Sequence, residues 1–151
     1  MTLRTKRLLA RLAHASAPRV KVIFSHKSSQ LVNANAINIC VDKEEDCGFM
    51  RHLCEVHGAK WARAIHDDIW TVLHEVGHYH TYSKYADSKY EYAVRMKFEE
   101  LTFDYVNRSP KVQDIYYNLP SEYVATEFAI DFVKRHYKLM KKLSVLLSKD
   151  E

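Results

Sequence analysis

The stretch Ile65-His66-Asp67-Asp68-Ile69-Trp70-Thr71-Val72-Leu73-His74-Glu75-Val76-Gly77-His78 decides how this chain folds. Ile65, Ile69, Val72 and Val76 recur at helical spacing and make one apolar stripe. Asp67 and Asp68 sit where first-turn acids belong. The stretch is therefore expected to be an amphipathic helix. His74, Glu75 and His78 fall off the apolar stripe. Residues four apart on a helix lie about one turn apart on one face, so His74 and His78 can hold one metal ion between them. Glu75 lies on the flank of that face, placed to act as general base toward a water activated by the metal. An H-E-x-x-H run on a helix suits zinc-dependent hydrolysis. Gly77 interrupts the helix at a cost of about 1 kcal/mol relative to alanine. Another backbone, or the third ligand, is expected to approach closely there.

A catalytic zinc usually takes three protein ligands and keeps one position open. The third is sought downstream, where Tyr117-Asn118-Leu119-Pro120-Ser121-Glu122 opens a new helical pattern with Pro120 in its first turn. Val124, Phe128 and Phe132, with Tyr123, form its expected apolar stripe, and the helix is expected to run through Lys134 toward Leu147. It offers Glu122, Glu127 and Asp131. Glu122 also suits a helix dipole, and Glu127 and Asp131 also suit a solvated face. These residues alone place Glu122 only slightly ahead.

The segment Glu122-Tyr123-Val124-Ala125-Thr126-Glu127-Phe128-Ala129 fits an E-x-x-A-x-x-F-A pattern. With His74-Glu75-Val76-Gly77-His78 upstream, the chain resembles the ImmA/IrrE-type zinc metallopeptidases from about residue 65 to residue 133. The resemblance implies that Glu122 is the third zinc ligand. It also implies a zincin-like α+β fold, helix-rich, with a small β-sheet packed near the H-E-x-x-H helix. A protein or peptide substrate follows, with a DNA-binding regulator as a target, in a bacterial or phage-infected cytoplasm. Where that family often has an asparagine four residues after the glutamate, this chain has Thr126, whose hydroxyl can still support the site. Membrane-bound zinc proteases of the Ste24/HtpX type share both motifs. They need transmembrane helices, and no run here approaches the length that spanning requires.

Length and composition fit one globular domain over residues 1–151. Three glycines and three prolines point to a helix-rich chain with few tight turns. Residues 1–41 hold seven Lys or Arg and no Asp or Glu, although the whole chain carries only +4. That block reads as an ordinary N-terminal helix, with Leu8, Leu12 and Ala15 buried and Arg4, Arg7 and Arg11 solvated. A nucleic-acid contact and a mitochondrial targeting segment are the rival readings. Cys40, Cys47 and Cys54, an odd count with no secretory signal, read as structural thiols in a reducing compartment. A second metal site with His52 and His57 has no C-x-x-C spacing behind it.

Along the chain, 3–15 reads as a helix. Arg19–Ser25 and Ala34–Val41 alternate and read as two strands that pair. Ser28–Ser29 is a turn, and Asp42–Asp46 an acidic connection. From Phe49 the chain turns helical, with a break near Gly58. Thr81–Ser88 reads as a polar loop. Tyr90, Val94, Phe98, Leu101 and Tyr105 mark a further helix that breaks at Asn107–Pro110. Ala34–Val41 is the candidate edge strand for an added peptide.

The expected activity is a zinc peptidase in which His74, His78 and Glu122 hold Zn2+ and Glu75 moves the proton. His80 lies on another helix face and is not expected to ligate. Tyr116 and Tyr117 read as core or rim aromatics. The alternative is a non-catalytic, zinc-stabilised regulatory module binding a protein or nucleic-acid partner. Glu75 argues against it, because a structural site needs no carboxylate beside the metal. A SprT-like metallopeptidase acting near DNA is a third reading, raised by the basic first 41 residues.

Overall fold

A computed structural model describes residues 1–42, 49–85, 88, 89, 92, 93, 96 and 110–149. Helix α1 (Leu3–Ser16) starts where the Thr2 side chain accepts from the Thr5 backbone N–H at 3.1 Å. Arg4, Arg7 and Arg11 are exposed, as expected. The buried line is Thr5, Leu9, Leu12 and Ala13, which turns Ala15 out to solvent and leaves Leu8 half-buried. Thr5 can face inward because its hydroxyl pairs with that of Thr2 at 2.9 Å.

Three strands follow, β1 (Lys21–Ser25), β2 (Gln30–Asn33) and β3 (Ala36–Cys40), in the order β1-β3-β2. The two expected strands do pair, in parallel, with Lys21 opposite Ala36 and Ser25 opposite Cys40. A parallel pair needs a crossover, and β2 supplies it by pairing antiparallel to the far side of β3. This short strand is hidden in the sequence by its four residues and by a register shift between Leu31 and Asn33. Its presence corrects the edge assignment. Strand β3 is central and buried along its whole length, and β2 is the outer strand. The alternation of β3 misleads because Asn38 is a buried polar residue. It accepts from Ser25 Oγ at 2.8 Å and donates to the carbonyls of Lys27 and Ser28 at 2.9 and 3.0 Å, so its burial is satisfied.

Helix α2 (Phe49–Glu55) ends as expected at Gly58, whose φ of 65° lets the chain reverse. A 3-10 turn over Lys60–Ala64 leads to α3 (Asp67–Tyr85). Ile65, Ile69, Val72 and Val76 are all buried. The expected loop from Thr81 is instead helix as far as Tyr85, and Thr81 donates to the Gly77 carbonyl at 3.0 Å. That bond satisfies the hydroxyl on the helix surface.

Helices α4 (Pro110–Tyr117), α5 (Pro120–Arg135) and α6 (Tyr137–Leu147) complete the described chain. The expected single helix beyond Pro120 breaks at His136, and the bend brings Met140 and Leu147 into the core. The inner face of α5 also differs from the expected stripe. Glu122, Ala125, Thr126, Ala129 and Val133 are buried, while Phe128 and Phe132 are half-buried flanks and Tyr123 is exposed. Small residues line that face because α3 crosses it at Gly77. A Cβ on Gly77 would lie 2.6 Å from the Ala125 carbonyl oxygen and 2.7 Å from its Cα. The close backbone approach expected from Gly77 is therefore made by α5. Most of the expected helix from Tyr90 to Tyr105, the acidic connection after Asp42, and Cys47 lie outside the described residues. Among the described residues, no helix is long and apolar enough to cross a membrane.

Candidate metal centre

Helix α3 presents His74 and His78 one turn apart, and α5 swings Glu122 over them from its first turn. His74 Nε2 and His78 Nε2 lie 3.0 and 3.1 Å from Glu122 Oε2, and 3.1 Å from each other. The three ligand-type atoms form a near-equilateral triangle. Hydrogen bonds alone serve this triangle poorly. If both imidazole nitrogens carry protons, two donors crowd together, and if one does, the other faces a carboxylate without a proton. A cation among them satisfies all three at once. Ligand atoms about 2.1 Å from a tetrahedral ion lie about 3.4 Å apart, a few tenths of an ångström wider than the observed triangle. His74, His78 and Glu122 are thus a group that can hold a metal ion.

The neighbouring imidazoles keep the carboxylate ionised despite its burial. Glu122 is 1% exposed. Burial alone would push its carboxyl up. The charge on His78 and the hydrogen bonds from His74 and His78 outweigh burial and hold the carboxyl well below the usual carboxylate range. Glu122 is therefore an anion at neutral pH. Thr126, fully buried, donates its one hydroxyl hydrogen to the Glu122 carbonyl at 2.9 Å. Toward His74 Nδ1, 3.3 Å away, it can only accept. That contact favours a proton on Nδ1, the form in which a metal could replace the Nε2–H bond to Glu122. The Phe49 ring meets the His74 ring edge-on at 5.2 Å and closes its other side.

Comparison with protein families, with characterised proteins and with solved structures finds no match to this chain. The site therefore stands on its own geometry.

Glu75 is 7% exposed and lines the same cavity, of about 380 Å³, as His78 and Glu122. The other sequence candidates lie elsewhere. Glu127, five residues beyond Glu122 on α5, points about 140° away around the helix and bonds His57 Nδ1 at 2.5 Å. His57 Nε2 in turn meets His52 Nε2 at 3.1 Å, and the His52 ring stacks on Tyr117. Asp131 is exposed. His80 Nε2 lies 3.0 Å from the Ser16 carbonyl and ties α3 to the end of α1. Tyr117 is packed between Phe49 and His52, whereas its neighbour Tyr116 lines the cavity. Cys40 and Cys54 are buried thiols.

The sequence reading missed Phe49, the cavity residues Gln30 and Leu31 on the hidden strand, and Tyr82 and Tyr85. A signal existed only for the tyrosines, which follow His78 at helical spacing.

Proposed function

We propose that this chain is a zinc-dependent peptidase with a zincin-like fold, of the ImmA/IrrE type that its two motifs resemble. One observation carries this reading: two imidazoles and a buried carboxylate converge on one point, and Glu75 opens into the same cavity. Two nitrogens and one oxygen are a donor set suited to zinc.

His74, His78 and Glu122 would hold the ion. A bound zinc supplies a Lewis acid that polarises the attacking water and the scissile carbonyl. Glu75 would accept a proton from the attacking water and pass it to the leaving amine. Two neutral imidazoles and one carboxylate would offset only half of a divalent charge, so a bound ion could still stabilise negative charge in the site. An extended peptide would lie along the outer strand β2, whose Gln30 and Leu31 border the cavity, and add to it through backbone hydrogen bonds. The resemblance makes a protein substrate the partner, with a DNA-binding regulator as the target, in the cytoplasm of a bacterial or phage-infected cell.

Metal content and peptide cleavage, measured on wild type, Glu75→Gln and Glu122→Ala, test the reading. Glu75→Gln is expected to keep its zinc and lose cleavage by about 10²- to 10⁴-fold. Glu122→Ala is expected to lose zinc. Undiminished cleavage by zinc-loaded Glu75→Gln would remove the general base from the mechanism. The rival regulatory module predicts that Glu75→Gln alters partner binding and that wild type cleaves nothing.

A further inference from the structure

The ligand face of α3 does not end at the metal. On a helix, positions +4 and +7 from His78 lie within about 40° of it. Those positions are Tyr82 and Tyr85, and both line the cavity with His78 and Glu75. Tyr82 is 41% exposed and Tyr85 is half-buried, so both rings remain open to a ligand. From His78 to Tyr85 the floor runs about 10 Å at 1.5 Å per residue. That length matches about three residues of extended peptide. Tyr116, at the end of α4, adds a ring from another wall, and Leu31 of β2 adds an aliphatic side chain.

Charge sharpens the picture. Among the described lining residues the carboxylates are Glu75 and Glu122, and none is Lys or Arg. Lys84 lies just outside the lining, with its Nζ 5.3 Å from the centroid of the Tyr85 ring, at the far end of the floor. A peptide carboxylate over Tyr82 would meet aromatic carbon and find no lysine or arginine in the lining. A bulky neutral side chain there would bury its surface against ring faces, with phenolic hydroxyls still reaching water.

We infer that the Tyr82–Tyr85 floor is a specificity subsite: it selects peptides with an aromatic or long aliphatic side chain within three residues of the scissile bond, and disfavours a carboxylate there. This rests on the metallopeptidase reading and names its substrate class.

Peptide hydroxamates test it, because the hydroxamate anchors on the metal and binding needs no turnover. The probes carry Phe, Gly or Asp in turn at each of the three residues beside the hydroxamate. Affinity is measured on zinc-loaded wild type, Tyr82→Ala and Tyr85→Ala, with zinc content checked in each. At one position at least, Phe is expected to bind about tenfold or more tighter than Gly or Asp. One of the two tyrosine variants is expected to shrink that ratio several-fold with zinc still bound. Equal affinity for Phe, Gly and Asp at every position overturns the inference. So does a Phe preference that both variants retain in full. A chain that takes up no metal overturns the inference together with the reading beneath it. Selective hydroxamate binding without cleavage of any peptide removes the peptidase reading and leaves the subsite standing.

Discussion

Replacing Thr126 by valine removes one hydroxyl and almost nothing else. The two side chains have nearly the same shape and similar helix propensity, so α5 keeps its course. His74 Nδ1 then loses the buried hydroxyl that lies 3.3 Å from it. The proton on Nδ1 is then held less firmly, and the share of the ring that carries it on Nε2, where it blocks the metal, rises. Loss of a group behind a metal-binding histidine typically weakens affinity by about 10- to 100-fold. The lower end applies here, because the contact is long and the acceptor is neutral rather than a carboxylate. The expected loss is about tenfold in zinc affinity, or about 1.4 kcal/mol. Competition with a chelating indicator of known affinity measures it. Thr126→Ser restores a hydroxyl at the same position and should recover most of the loss. Two results would refute the reasoning: valine binding zinc as tightly as wild type, or serine no better than valine. A valine variant that melts earlier with unaltered zinc affinity would assign Thr126 to packing alone.

Other perturbations follow from the same geometry. Gly77→Ala pushes a methyl group into the Ala125 backbone; it should cost about 1–3 kcal/mol in chemical denaturation and weaken zinc binding as α3 and α5 part, and unchanged stability would show that the crossing yields easily. Glu127→Gln removes the charge that His57 Nδ1 faces; because Glu127 is half exposed, the expected loss is only about 1 kcal/mol, with zinc content equal to wild type, and zinc loss here rather than in Glu122→Ala would reassign the third ligand. Chelation should lower the thermal midpoint reversibly, since zinc at about a thousand times its dissociation constant stabilises the folded state by about 4 kcal/mol; a midpoint indifferent to zinc would mean that the triangle binds none.

Legibility tracks how local each feature is. The motif helix, its first-turn acids and the convergence of His74 with His78 follow from period and spacing within a single element, and the structure carries them. Gly77 signals a close approach because its cost within a helix needs offsetting, although the identity of its partner, Ala125, is a tertiary fact. Strand β2 is illegible because Gln30–Asn33 is too short and too irregular to alternate. The central place of β3 is equally hidden, because Asn38 is polar yet buried and its partners lie on β1 and in the loop that follows it. The choice between Glu122 and Glu127 rests on what each meets across space, and a linear pattern does not contain the His57 ring that occupies Glu127.

One face of α5 explains why its pattern takes the form it does. Glu122, Ala125, Thr126 and Ala129 fall at spacings of three, one and three residues, which places them on one side of a helix. All four are buried. Glu122 must reach the Nε2 atoms, and Thr126 must reach Nδ1 of His74 from one turn further along. Both reaches require the two helix backbones to lie unusually close, so Ala125 is small and Gly77 carries no side chain. A methylene added at Ala125 would therefore act on the metal centre without touching it, by lifting Glu122 and Thr126 from His74 together. Ala125 is the spacer at this crossing, and in Ala125→Val zinc affinity should fall while every candidate ligand remains in the chain.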